Sequence, residues 1–222
     1  MDPAPAGRPR RSTDPPAGRP PRSTDPPAGR PRRSTDPPAG YPPRPSRAEL
    51  AAAVDLVLPD VIASGLAVLF CGINPGLYSA ATGCHFARPG NRFWPALHRG
   101  GFTPRQLGPV EQYELLGHRL GITNLAPRAT ARAEELTRPE LLAGATMLAA
   151  KARRYQPEWV AVLGITAYRI GFAQPHAGFG PQPESLGPAR IWVLPNPSGL
   201  NAHYTAESLG AAFAELRATA LR

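Results

Sequence analysis

A chain of 222 residues, 42% of them hydrophobic, can bury one generous domain or two small ones, while its two cysteines, Cys71 and Cys84, exclude a disulfide framework and a four-thiolate metal or iron–sulfur site. A formal net charge of +9 favours a polyanionic partner such as nucleic acid, yet ten Arg and four Asp lie in the first 47 residues, so the remainder is only mildly basic. No apolar run approaches the roughly 20 residues that span a bilayer, and the N-terminus lacks the apolar segment of a signal peptide, which makes a reduced, cytoplasmic setting the default expectation.

Fifteen of the 30 prolines fall in the first 45 residues, within a repeat of eleven: Asp14 to Thr24, then Asp25 to Thr35, with looser copies on both sides. A solenoid repeat must bury apolar side chains against its neighbours, and these units offer only alanine. Residues 1–46 therefore read as a disordered, locally polyproline-like Pro/Arg/Gly tail, and 47–222 as the folded domain. The tail is either a basic arm that neutralises phosphates or an extension without a partner of its own.

Ser46 and Glu49 form a capping box ahead of a helix over Leu50 to Leu58. A strand follows at Leu66 to Cys71. Asn91 is positioned to cap a helix through Arg99 whose Phe93, Trp94 and Leu97 face inward. A helix over Val110 to Leu116 leads to a short strand, Gly121 to Asn124. Thr137 and Glu140 make a second capping box, with Pro139 in the first turn, and open a helix to Arg154 whose Leu141, Leu142, Ala145, Leu148, Ala149 and Ala152 share a face. Then come a strand at Trp159 to Leu163, a helix over Thr166 to Phe172, a Gly/Pro loop, a strand at Arg190 to Leu194, and a helix from Ala206 to Leu216 capped by Thr205. Short apolar strands alternating with amphipathic helices predict an α/β fold: three α/β/α layers around a mostly parallel sheet.

Two stiff loops follow two of these strands. Gly72-Ile73-Asn74-Pro75-Gly76 places a polar amide between glycines, which let a ligand approach the backbone, and a proline, which fixes a dihedral. Leu194-Pro195-Asn196-Pro197-Ser198-Gly199-Leu200 repeats the arrangement. Ligands of such sheets sit beyond the carboxyl ends of the strands, so the two Asn-Pro loops and Asn124 are expected to share one cleft.

The inventory of reactive groups is restrictive. All six aspartates lie at or before Asp60, leaving none for either loop. The only lysine, Lys151, sits mid-helix and reads as a solvated surface ammonium, which argues against a Schiff base. The histidines show no metal spacing, and the first loop has neither P-loop nor dinucleotide-binding spacing, so no metal or cofactor is expected. What remains is a cleft of neutral amides. An Asn carbonyl cannot act as a strong base, but it can hold a water in line with an electrophile that is already departing, which suits dissociative cleavage of an N-glycosidic bond to a nucleobase.

The paired loops, with Ala80-x-Thr82-Gly83, Phe86-Ala87-x-Pro89, Asn91-Arg92-Phe93-Trp94, Gly121-Ile122-Thr123-Asn124, Tyr155-Gln156-Pro157 and Ile191 to Pro195 between and beside them, resemble the mismatch-specific uracil-DNA glycosylase and thymine-DNA glycosylase family of the uracil-DNA glycosylase superfamily. The resemblance covers Leu66 to Leu216 and none of the tail. It implies a monofunctional glycosylase, a monomer acting on double-stranded DNA with a mismatched or damaged base, that flips uracil out, foremost from G·U pairs, and leaves an abasic site. It further implies that Asn74 positions the attacking water beside Ile73, that Ser79 lines the pocket near the uracil ring, and that Phe86 stacks on the flipped base. Asn196 would lie near the sugar and the departing base; Gly199 and Leu200 would form a wedge that fills the hole, with Ser198 at a phosphate.

Three positions depart from the family's pattern. Some relatives have an arginine two residues beyond the wedge leucine where this chain has Ala202, followed by His203; some have lysine at Asn124, where an Asn would read the uracil edge as in the wider superfamily; and Tyr78 is bulkier than usual and would narrow the pocket. Plainer readings stand for other residues: Phe93 and Trp94 as core, Cys84 and His85 as rim, and Arg88, Arg92 and Arg128 as either phosphate contacts or ordinary surface arginines. Two rivals stay open: a non-catalytic binder of mismatched or abasic DNA, and a hydrolase of free nucleosides or another small ligand.

Overall fold

The computed structural model describes Met1, residues 39–201 and residues 203–221. The chain divides into Met1–Ser34 and Thr35–Arg222, and the fold below is that of the second unit. The eleven-residue repeats and Ala202 lie outside the described residues, apart from the last few of the tail. Those last residues pack: Pro42 is buried, Gly40 O accepts from Val110 N at 3.1 Å, and a Cβ on Gly108 would sit 2.2 Å from Gly40 O.

The strands are β1 (Val68–Gly72), β2 (Leu120–Asn124), β3 (Trp159–Leu163), β4 (Gly180–Leu186) and β5 (Ala189–Leu194). They form one five-stranded sheet in the order β2-β1-β3-β5-β4, parallel except for β4, which runs antiparallel to β5. The helices are α1 (Arg47–Ala52), α2 (Leu77–Thr82), α3 (Phe93–Arg99), α4 (Arg138–Tyr155), α5 (Ile165–Gly171) and α6 (Ala206–Ala220).

Alternation along the strands sorts their side chains between two cores. Val68, Phe70, Ile122, Ala161 and Trp192 pack with α3 and α6; Leu69, Cys71, Val160, Val162, Ile191 and Val193 pack with α4 and α5. The sheet is covered on both faces, which is why its central strands read as unbroken apolar runs. Phe93 and Trp94 are fully buried, and Phe70, Phe93, Phe102 and Phe213 form an aromatic cluster under α3 and α6. The three-layer α/β/α architecture expected from the sequence is the one found. Both predicted capping boxes are present, and Thr205 caps α6 by accepting from Ser208 N at 3.1 Å.

Four local expectations are corrected. The helix expected to Leu58 ends at Ala52, because none of its residues is buried and Asp55 adopts φ 61°; Val57 and Val61 then make antiparallel bridges to Arg128 and Ile122. Pro109–His118 is a 3-10 helix, whose buried Pro109, Gln112 and Leu115 recur every three residues, matching its period. The Gly/Pro loop contains β4, an edge strand where Pro181 and Pro183 are tolerated since one side of the ladder needs no donor. Helix α3 has Arg92 at its cap position, although Asn91 Oδ1 does accept from Phe93 N at 2.9 Å.

Lys151 is corrected as well. Its Nζ lies 2.6 Å from Asp60 Oδ2 and donates to Thr123 Oγ1 at 2.8 Å, while Thr123 donates to Asp60 Oδ1 at 2.7 Å. It is a half-buried ion pair fastening the 59–61 segment beside β2, not a solvated ammonium. No described helix is long and apolar enough to cross a membrane.

Candidate active site

In a sheet of this order the connections leave β1 and β3 in opposite directions, and the crevice between them is open at the carboxyl ends. A cleft of about 630 Å³ occupies that place. Gly72, Ile73, Asn74 and Ser79 line it from the β1 side, Asn124 and Thr130 from beyond β2, Leu163 from β3, and Asn196, Ser198 and Leu200 from beyond β5. The loops meet over Gly164, where an added Cβ would lie 3.2 Å from Ile73 Cδ1 and 3.9 Å from Asn196 Cβ. Asn74 and Asn196, 122 positions apart by their numbering, thus face one hollow.

The first loop is stitched to the segment after β2. Leu125 N donates to Gly72 O at 2.9 Å, Ala126 N to Ile73 O at 2.8 Å, and Thr130 N to Pro75 O at 3.2 Å. Asn74 adds the side-chain stitch: Nδ2 donates to Thr130 Oγ1 at 2.7 Å and reaches Arg128 O and Pro75 O, each at 3.1 Å. Thr130 in turn donates its hydroxyl proton to Arg132 O at 2.7 Å, so its oxygen is left as an acceptor. All three groups around Nδ2 are acceptors, and a flipped amide would set oxygen against oxygen. The amide is locked, and its Oδ1 accepts no hydrogen bond from any described residue.

Arg128 is tied down from behind. Its guanidinium holds Glu140, which caps α4, and also reaches Asp55 and Glu135 O. The Glu140 carboxyl is lowered to about 2, first by that guanidinium and then by the Thr137 backbone and hydroxyl. Arg128 is therefore an internal brace whose carbonyl helps to orient Asn74, and not a free phosphate contact. Thr130 and Arg128 O carry no sequence signal of this role, because their partner lies more than fifty residues away in the chain.

Two more amides reach the cleft. Asn196 Oδ1 accepts from Ser198 N at 3.0 Å, leaving Nδ2 without a described partner. Asn124, 9% exposed at the end of β2, makes no side-chain hydrogen bond among the described residues. Its Oδ1 would lie 2.6 Å from a Cβ on Gly72, and Phe86 Cζ would lie 3.3 Å from it. Gly72 thus separates an amide without a described partner from an aromatic ring. One face of the Phe86 ring is stacked on Phe93, with centroids 4.1 Å apart and an interplanar angle of 23°. Phe86 has φ 53°, a left-handed backbone uncommon outside glycine, held here by that stacking and by the buried residues on either side. Ser79 is buried, and its Oγ accepts from Ala87 N at 3.2 Å.

Ser198 Oγ accepts from Leu200 N at 3.3 Å, and Gly199 packs so closely on Gly90 that a Cβ would meet Gly90 O at 2.5 Å. Leu200 is 71% exposed on the rim.

Other expectations for the rim change. His85 is 2% exposed: Trp94 donates to its carbonyl, Gln112 takes its N–H, and its Nε2 lies 2.9 Å from Pro59 O. Burial pushes its pKa down, so it is a neutral wall residue. Cys84 is buried also, and burial pushes both thiols up, Cys71 to about 12, which removes thiolate chemistry. Tyr78 is not among the residues lining the cleft. Arg88, Arg132 and His203 are exposed at the cleft margin; Glu134, its one carboxylate among the described residues, is exposed there too.

Fold and site together define an α/β/α protein with an open cleft at the switch point of a parallel sheet, whose inner polar groups are neutral amides rather than a thiolate or lysine, with Glu134 only at the exposed margin. Residues 59–218 match the family model of the Uracil DNA glycosylase superfamily, and the chain belongs to that family. Its activity is in general terms that of a DNA glycosylase, a hydrolase acting on DNA. A similar solved structure is the solution NMR structure of a candidate uracil DNA glycosylase from Methanosarcina acetivorans: 18% identity, 74% of this chain and 99% of that one covered, TM-score 0.49.

Proposed function

We propose that this protein is a mismatch-specific glycosylase of the uracil/thymine type that flips uracil, foremost opposite guanine, out of duplex DNA and hydrolyses its N-glycosidic bond, leaving an abasic site. The observation that carries the proposal is the locked Asn74 amide, whose donor side is taken up by Thr130 Oγ1, Arg128 O and Pro75 O. Asn74 Oδ1 then holds a water beneath the sugar carbon. The bond to the base breaks ahead of attack, the base leaves as an anion, and the water bonds to the cationic sugar and gives its proton to solvent, from which the base anion is protonated. A cleft without an ionised carboxylate at its centre suits this sequence, since the enzyme needs only to orient solvent and stabilise separated charge.

In this reading Phe86 stacks on the flipped base with the face that Phe93 leaves open, and Asn124 presents its unpartnered amide to the base edge. Ile73 and Ser79 close the slot. Asn196 Nδ2 lies near the sugar and the departing base, while Ser198, Gly199 and Leu200 enter the duplex. Filling the vacated stack with an apolar side chain offsets the few kcal/mol that extrusion costs. The reaction requires no metal or organic cofactor, and the protein acts as a monomer in the cytoplasm.

The test is alkali-sensitive cleavage under enzyme excess on duplexes carrying G·U, A·U, G·T or ethenocytosine and on single-stranded uracil DNA. Strand breaks from G·U, at a rate above that from G·T, are expected; retention of the duplex with no break on any substrate favours the binding module, and release from free nucleosides alone favours the small-ligand hydrolase. Thr130→Val, which keeps the shape but removes the shortest acceptor around Nδ2, is expected to slow base release about tenfold, the worth of one positioning hydrogen bond. An unchanged single-turnover rate in that variant removes the threonine from the account.

A further inference from the structure

The Asn91 to Trp94 block contains a side chain used by neither the base slot nor the core. Arg92 leaves its helix cap toward the second Asn-Pro loop, where its backbone N–H donates to Pro197 O at 2.9 Å. Its guanidinium donates through Nη1 to Tyr204 O and through Nη2 to Ser198 O at 2.5 Å and Asn201 O at 2.7 Å. All three acceptors are backbone carbonyls of one stretch, Ser198 to Tyr204. No carboxylate pairs with Arg92 among the described residues, and its Nε is buried without a partner. This half-buried cation, with no carboxylate beside it among the described residues, is held by those carbonyls.

The same stretch is fixed from other sides. Asn201 Nδ2 donates to Asn196 O at 3.0 Å, Asn201 N to Ser198 O at 3.0 Å, and the Tyr204 ring meets Phe179 edge-on with centroids 5.9 Å apart. Within this frame Leu200 is the large apolar side chain turned outward. Contacts already made in the free protein do not have to be formed when a ligand arrives.

We propose that Arg92 is a positioning residue that, through the carbonyls of Ser198, Asn201 and Tyr204, holds the residues around Leu200 in place to present it to the duplex, before DNA binds. The proposal rests on the reading of Leu200 as a wedge. Arginine is the side chain suited to the task, because a planar fork reaches three carbonyls where an ammonium on a single stem does not.

The experiment uses the full chain as wild type, Arg92→Met, Arg92→Lys and Leu200→Ala. In limited chymotrypsin digestion of the free protein, Arg92→Met is expected to be cut after Leu200 or Tyr204 at least about tenfold faster, the factor that one charge-assisted hydrogen bond supplies. In single turnover, uracil release from a G·U duplex should fall about tenfold or more, and release from single-stranded uracil DNA less than about threefold, since a single strand has no stack to open. Leu200→Ala should show the same split, and adding Arg92→Met to it should add little. Arg92→Lys is expected to fall between wild type and Arg92→Met, and it carries the test if the methionine variant fails to fold. Unchanged digestion, or equal loss on duplex and single strand, overturns the proposal. Wild-type protein that frees no uracil from either substrate overturns the wedge reading and the proposal with it, an outcome told apart from failure of the clamp because the wild type itself is then inactive.

Discussion

Asn74→Ala is expected to suppress uracil release by about 10²- to 10³-fold in single turnover while leaving duplex binding largely unchanged, the size of loss typical when a group that positions the nucleophile is removed. Binding is spared because Asn74 lies in the cleft, apart from the exposed rim that carries Leu200, Arg88, Arg132 and His203. Stability should also change little. The loop keeps its backbone bonds from Leu125, Ala126 and Thr130, and the three acceptors around Nδ2 lose a donor in a half-buried site that water can enter. Equal activity in the variant would remove Asn74 from the mechanism. A parallel loss of binding would instead show that the residue recognises the extruded base.

What the sequence made legible is what rests on short-range pattern. Apolar runs marked β1, β3 and β5 and a short mixed segment marked β2, capping boxes at Ser46 and Thr137 gave helix starts, and the two Asn-Pro loops fell at the carboxyl ends of β1 and β5 as expected. Strand β4 was hidden because Pro181 and Pro183 argue against a strand unless one knows that it lies at an edge. Helix α2 was hidden by its brevity and by the glycines at its two ends, Gly76 and Gly83.

The site was legible in its ends and not in its supports. Asn74, Asn124 and Asn196 announce themselves as polar residues at strand ends, and all three line the cleft. Their supports are chosen by tertiary proximity. Thr130 and Arg128 O orient Asn74, Asp60 pairs with Lys151 across more than ninety positions, and Arg92 reaches carbonyls beyond residue 197. No local periodicity encodes such contacts. An arginine that pairs with backbone carbonyls, or a lysine that pairs with a distant aspartate, reads in the sequence like any other surface charge.

Gly72→Ala is expected to separate activity from stability more sharply than any other change at the site. The added Cβ would lie 2.6 Å from Asn124 Oδ1 and 3.3 Å from Phe86 Cζ, so something must move. The ring is pinned by its stacking on Phe93, whereas the Asn124 amide is the free end of a rotatable side chain with no hydrogen bond among the described residues. The amide gives way. Displacing it costs little in folding, so the loss should be about 1 kcal/mol, at the low end for a methyl forced into a packed site. Base release from G·U should nonetheless fall about a hundredfold, because the group proposed to face the base edge has left its place and the slot beside Phe86 has narrowed. Combining Gly72→Ala with Asn124→Ala tests the route. If the methyl acts by moving that amide, the pair should be little worse than Asn124→Ala alone, whereas fully additive losses would mean that it acts by blocking the base directly. Urea unfolding beside single-turnover kinetics decides between these outcomes, and a large drop in stability with no change in the rate of the folded fraction would refute the assignment of Gly72 to the base slot.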